Sequence, residues 1–190
     1  PFMYQGEELG MTNTPFLDPS EFRDVDMINQ YKEFLEKGGK DKDFMPHANS
    51  VSRDHARTPF HWDASENAGF TTGTPWIKVN PNYTQINAQQ AQDDPDSVFH
   101  YYKKLLALRK DQKGLILGQF EDLEPNHKQL FVYLRKGEEA TYLVILNLTG
   151  EEVSYTLPPE WELKQLLVSN YGDVAYTDVL KPYQAFVFEI

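Results

Sequence analysis

The chain has 190 residues, 40% of them hydrophobic and 14% aromatic, enough apolar material for one large core or two small ones. Eighteen basic residues against twenty-nine acidic ones leave a formal net charge of −11, which argues against nucleic acid, whose phosphates need clustered Lys and Arg. The absence of cysteine excludes a disulfide framework and a thiolate metal site, and favours a reducing, cytoplasmic setting.

In chain order, Pro1-Phe2-Met3-Tyr4-Gln5 is an apolar run that stops at Gly6. It predicts a buried strand whose exit carries Glu7 and Glu8 into a loop. The run has no initiator Met and no basic leader, so the chain is expected to be a piece of something longer, or a processed product. A loop follows to Ser20. From Glu21 to about Leu35, Phe22, Val25, Ile28, Tyr31 and Leu35 recur at steps of three and four and predict an amphipathic helix, stopped by Gly38-Gly39. A second helix is expected from about Asp41 into the low 50s, with Pro46 near its first turn or kinking it.

Between Thr58 and Tyr83 lie three prolines and two glycines together with Phe60, Trp62 and Trp76. Long loops without regular structure usually serve a function, so this one is a candidate wall for a binding site; the alternative is that its aromatics anchor it to the core. Asp94-Pro95 predicts a helix start, and Val98, Tyr101, Tyr102, Leu105, Leu106 and Leu108 form the apolar stripe of the helix that ends at Arg109-Lys110. After Gly114 the pattern turns to β-formers at 130–134, 141–148, 153–157, 164–168 and 185–190, which predicts an antiparallel β-sandwich. The expected division is a helical, loop-rich part over 1–113 and an all-β domain over 114–190. No stretch approaches the roughly 20 apolar residues of a membrane-spanning helix.

Several side chains are candidates for chemistry. Glu7 and Glu8 could divide acid and base work, but neighbours in an extended segment point to opposite sides, and structural hydrogen bonding is the simpler fate. Arg53-Asp54-His55-Ala56-Arg57 gathers two guanidiniums, a carboxylate and an imidazole before the aromatic loop. Arginine offers a rigid fork of donors suited to sugar hydroxyls or to a buried Asp, and both readings are open. The five histidines lack the spacing of a helical zinc motif, and there is no phosphate-binding glycine loop and no nucleophile elbow. Neither a metal nor another cofactor is expected.

The specific wording of the sequence adds a family resemblance. Tyr4-Gln5-Gly6-Glu7-Glu8-Leu9-Gly10-Met11, Arg23-Asp24-Val25-Asp26, Ser52-Arg53-Asp54-His55-Ala56-Arg57-Thr58-Pro59 with Trp62-Asp63, and Asn67-Ala68-Gly69-Phe70-Thr71-Thr72-Gly73-Thr74-Pro75-Trp76 resemble four ordered motifs of oligo-1,6-glucosidases and dextran glucosidases. These are α-glucosidases of the α-amylase superfamily, glycoside hydrolase family 13. The segment from Asp96 to Lys110 is similar to their last barrel helix.

The resemblance implies an α+β fragment: the C-terminal end of a (β/α)8 barrel, with its last strand and surrounding helices, followed by an all-β antiparallel sandwich called domain C. It implies a retaining exo-glucosidase acting on gluco-oligosaccharides, whose three catalytic carboxylates lie on earlier strands; none is expected in this chain. Arg53 matches the Arg of the glucose subsite, typically paired with an upstream Asp. Asp26 stands where the family usually has Glu facing the leaving-group sugar. Arg57 is the third candidate for the substrate site, as a sugar contact or as an ion-pair partner that shapes the loop. Phe60-His61 departs from the usual Met-Gln before Trp62. Trehalose-6-phosphate hydrolases and sucrose isomerases share these motifs, and a non-catalytic carbohydrate-binding or structural module is a further alternative. The sequence gives no expectation for oligomeric state.

Overall fold

The computed structural model describes residues 2–190 and divides the chain into two compact units, one up to Tyr102 and one from Lys103. In the first unit the expected opening strand is absent: residues 2–4 are irregular, Pro1 lies outside the described residues, and Phe2 is fully exposed. An extended apolar run becomes a strand only when neighbouring strands take up its backbone N–H and C=O groups. Among the described residues none pairs with it. A tight turn follows, in which Gly6 adopts φ +91° and a side chain at that position would strike Met11 Sδ at 2.7 Å.

The first helix, α1, spans Val25–Glu36 and starts later than its apolar period suggested. Residues Pro19–Glu21 form a separate 3-10 turn closed by a capping box between Asp18 and Glu21. Asp24 then caps α1, its carboxylate accepting from the Asp26 N–H at 3.2 Å. The second helix, α2, spans Asp41–Val51 with Pro46 in its middle rather than its first turn. The two helices meet through Tyr31, Phe34 and Phe44, and together with Phe16, Phe22, Met27, Ala48 and Ile77 they form the unit's core.

Beyond Thr58 the chain is irregular apart from two 3-10 turns at Glu66–Gly69 and Pro81–Thr84. It is anchored by buried His61, Ala68, Ile77 and Asn80, whereas Trp62 and Trp76 stand 55% and 69% exposed. The two tryptophans therefore do not serve as anchors, while Phe60 is half-buried. A short helix α3, Ala88–Asp93, has no apolar period and is set by its cap, Asn87 Oδ1 accepting from the Gln90 N–H at 2.9 Å. Asp94 closes α3 and accepts from the Asp96 N–H in a turn, so it does not cap the helix that follows. That helix, α4, runs from Val98 to Asp111.

The second unit contains α5, Lys113–Leu117, and seven strands: β1 (Gln119–Asp122), β2 (Leu130–Lys136), β3 (Thr141–Asn147), β4 (Val153–Ser154), β5 (Gln165–Ser169), β6 (Val179–Leu180) and β7 (Ala185–Glu189). An antiparallel five-stranded sheet has the order β1-β2-β3-β7-β5, and β4 pairs with β6 in a second, two-stranded sheet. Alternation sends Leu130, Val132 and Leu134 of β2 inward, and the register sets Val132 opposite Ile145 and Ile145 opposite Phe186. With Leu143, Phe188, Val153 and Leu180 these form one core shared by both sheets. β1 and β6 escaped the sequence reading because the first is wholly exposed and the second is two residues long.

Ile145 is fully buried at the crossing of β2, β3 and β7. Ile145→Ala is expected to destabilise this unit by about 2–5 kcal/mol, read as a lowered denaturation midpoint with an unchanged slope.

Candidate functional site

Two segments about thirty residues apart build the guanidinium cluster. Ser52 opens a 3-10 turn over Arg53–Arg57, its hydroxyl accepting from the Asp54 N–H at 3.2 Å. This places Arg53 against the start of α1. Its Nε donates to Asp24 Oδ2 at 2.9 Å and its Nη2 donates to Asp24 Oδ1, a bidentate fork. The same Nη2 lies 2.6 Å from Asp26 Oδ2. Asp24 is buried, whereas the Arg53 side chain is about half exposed. Arg53 and Asp26 are thus brought together, with Asp24 as the Asp partner of the fork. Arg57 stands apart from Asp26 and pairs instead with buried Asp54, Nη1 to Oδ1 at 3.9 Å.

The Arg53 side chain beside it holds the Asp24 carboxyl down to about 2, against the ordinary 3.8. Burial opposes that shift and the backbone N–H groups of Arg53 and Asp26 assist it. The paired carboxylate raises the Arg53 guanidinium in turn.

A cleft of about 260 Å³ opens between the turn at Tyr4–Glu7 and the segment from Ser50 to Thr58, with His55 and Phe60 in its wall. Arg53 does not line this cleft but points to the mouth of α1. Glu7 and Glu8 are both occupied structurally, accepting from the Tyr4 N–H at 3.2 Å and the Gly6 N–H at 2.8 Å. His61 is fully buried; its Nδ1 donates to the Ile86 carbonyl at 2.7 Å, which leaves Nε2 as an acceptor without a partner among the described residues. Burial pushes both His55 and His61 below the usual imidazole range.

The aromatic loop is shaped by a strained bend in which Asn67, Ala68 and Gly69 all have positive φ, at 54°, 59° and 64°. The Ala68 carbonyl accepts from the N–H groups of Trp62 and Asp63, so the bend holds the strand of chain that presents Trp62. Phe60 and Trp62 pack with ring centroids 4.7 Å apart and planes tilted by 59°. Asp24 and Asp54 are the residues that sequence reasoning did not assign to the site. The signal for Asp24 was its place immediately before a helix carrying Asp26 at the second position; Asp54 gave no signal apart from its neighbours. Among the described residues no group of three His, Asp or Glu side chains is placed to hold a metal ion, and no helix is long and apolar enough to cross a membrane.

The chain thus carries a helical, loop-rich unit with an acid–guanidinium cluster, followed in sequence by an antiparallel β unit, consistent with the end of a barrel and a β domain. Residues 1–118 match the family described as alpha amylase, catalytic domain, and residues 130–187 match the alpha-amylase SusG C-terminal domain. The chain belongs to the alpha-amylase family. It is 46% identical to a probable oligo-1,6-glucosidase 2 of Bacillus subtilis over 99% of this chain and 34% of that protein. It is 43% identical to a trehalose-6-phosphate hydrolase of the same organism, over 100% and 35%. Among solved structures, the trehalulose synthase MutB of Pseudomonas mesoacidophila MX-45 superposes with a TM-score of 0.92 at 38% identity, covering 100% of this chain and 35% of that one. The chain therefore spans about a third of the length of the relatives it matches.

Because the Asp24 carboxyl is lower in the folded state than in the unfolded one, its contribution to stability is complete above about pH 4 and is lost as the pH falls through about 2. Asp24→Asn is expected to abolish that part of the acid dependence, checked by denaturant midpoints between pH 5 and pH 2. Gly69→Ala should also destabilise, since its Cβ would lie 2.6 Å from the Asp63 carboxylate at a left-handed backbone position; a lowered Tm checks it.

Proposed function

We propose that the protein to which these residues belong is a retaining α-glucosidase that releases glucose from the non-reducing end of α-1,6-linked gluco-oligosaccharides. In this reading an Asp attacks the anomeric carbon, a Glu protonates the leaving oxygen, and the glucosyl-enzyme is then hydrolysed by water. Those carboxylates belong to residues outside this chain. The chain contributes the guanidinium wall of the glucose pocket, the aromatic loop and the β domain. The reaction needs no cofactor, and the enzyme works in the cytoplasm.

The observation that carries the proposal is the Arg53 fork. Asp24 and Asp26 engage Nε and Nη2, while Nη1 has no protein partner among the described residues. A guanidinium fixed in plane by two carboxylates, half exposed and with donors to spare, is suited to the vicinal hydroxyls of a terminal sugar. Asp26 offers its carboxylate to the sugar on the leaving-group side, and Arg57 serves the pocket as the ion-pair partner of Asp54.

Trehalose-6-phosphate hydrolysis and trehalulose synthesis are other activities named among the relatives and structural neighbours. The local charge favours a neutral sugar over a sugar phosphate. Three carboxylates, Asp24, Asp26 and Asp54, surround two guanidiniums, Arg53 and Arg57, so the cluster has no positive surplus to offer a phosphate dianion.

The test is Arg53→Lys in the full-length protein, which keeps the charge and removes the fork. On isomaltose, kcat/KM is expected to fall about 10–100-fold with little change in Tm, since Asp24 keeps a cation beside it. Unchanged kinetics would sink the proposal. Residues 1–190 alone are expected to show no turnover of isomaltose or of a chromogenic α-glucoside; measurable hydrolysis would place catalytic groups within this chain.

A further inference from the structure

The Arg53 fork rests on Asp24 and Asp26, and both of those carboxylates ride on the entry to α1. A third carboxylate fixes that entry. Asp54 is fully buried, and its Oδ2 accepts from the backbone N–H of Arg23 at 2.6 Å and of Asp24 at 2.9 Å. Asp24 returns the arrangement, its Oδ2 accepting the Arg53 backbone N–H at 3.2 Å beside the Arg53 side chain. Each segment thus holds the other's backbone with a carboxylate.

The charge on Asp54 needs its own account. A neutral amide could accept the same two N–H groups with less to lose on burial, because a buried carboxylate is costly unless it is paired. The second oxygen of Asp54, Oδ1, has no hydrogen-bond donor among the described residues, and the cation facing it is Arg57 at 3.9 Å. The negative charge therefore holds Arg57 on the far side of the cluster. It also strengthens both backbone bonds on Oδ2, since charge-assisted bonds are about twice as strong as neutral ones.

We infer that Asp54, with Arg57 as its counter-ion, is a positioning residue for the sugar-binding guanidinium: it sets the backbone of Asp24, and through Asp24 the plane in which Arg53 meets the sugar. Arg57 then acts through Asp54 rather than on the sugar. The inference rests on the reading of Arg53 as the ligand of the terminal glucose. It separates positioning from mere folding, because a residue that acts through Arg53 has nothing left to position once the fork is gone.

The experiment is a double-mutant cycle in the full-length protein, with D54N and R53K made singly and together and hydrolysis of para-nitrophenyl α-D-glucoside followed. D54N is expected to raise KM about 10-fold with kcat within about two-fold, and to raise it no further on the R53K background. The same rise on both backgrounds overturns the inference, as does an unchanged KM in D54N beside a raised one in R53K; either result leaves the reading of Arg53 standing. An unchanged KM in R53K brings down that reading and the inference with it. Should D54N fail to give folded protein, R57Q takes its place, since the Arg57 side chain is 42% exposed and its loss spares the core. It is expected to raise KM about three-fold in the native background alone. An equal effect of R57Q with R53K, or none in either, overturns the inference.

Discussion

Asp24 and Asp54 each reach across to the backbone of the other's segment, and the first unit is organised around that exchange. The start of α1, the 3-10 turn over Arg53–Arg57 and the orientation of the Arg53 fork all follow from it. In water such carboxylates would gain little from their partners. Buried, each would be a heavy liability without them, so the two segments either adopt this mutual geometry or forfeit it together. The hydrophobic core of Phe16, Phe22, Met27 and Phe44 supplies cohesion but no direction; the hydrogen-bonded charges supply the direction. This is why a unit with so little regular structure presents a guanidinium in one defined plane.

What the sequence made legible divides along physical lines. Periodicity located α1, α4 and the long strands of the β unit, because burial on one face imposes a period of 3.6 or 2. It failed where another force shaped the chain. α3 is all polar on its accessible faces and owes its existence to the Asn87 cap, a local signal that Asn87 and Gln90 carried three residues apart. Asp94 followed by proline looks like a helix start, yet its side chain closes a turn after α3. The apolar run at the beginning has the composition of a strand, but a strand is a property of a pair, and its pairing partners are not among these residues.

The site was legible to a different degree. The resemblance led to Arg53, Asp26 and Arg57, and the structure brings the first two into contact and sets the third against Asp54. Asp24 and Asp54 were missed as functional candidates because nothing in a one-dimensional sequence distinguishes an exposed aspartate from one buried under two backbone donors. The aromatic loop shows the opposite case. Its tryptophans looked equally suited to anchoring and to display, and burial decides it: His61, Ala68, Ile77 and Asn80 hold the loop while Trp62 and Trp76 face outward. Family membership follows from the whole pattern, and the relatives that share it carry names for several activities.

The strand order of the larger sheet has a further consequence. β7 lies between β3 and β5, although it is the last of the seven in sequence. As the polypeptide leaves the ribosome, β1, β2 and β3 can zip as a meander, but β3 keeps an open edge and β5 has no neighbour in that sheet until residues 185–189 emerge. For that interval the nascent chain carries two sticky borders that another copy could satisfy. Final insertion of Phe186 and Phe188 both closes the sheet and completes its core, which makes nascent-chain aggregation, rather than loss of a formed fold, the hazard of slow translation or premature termination in this region.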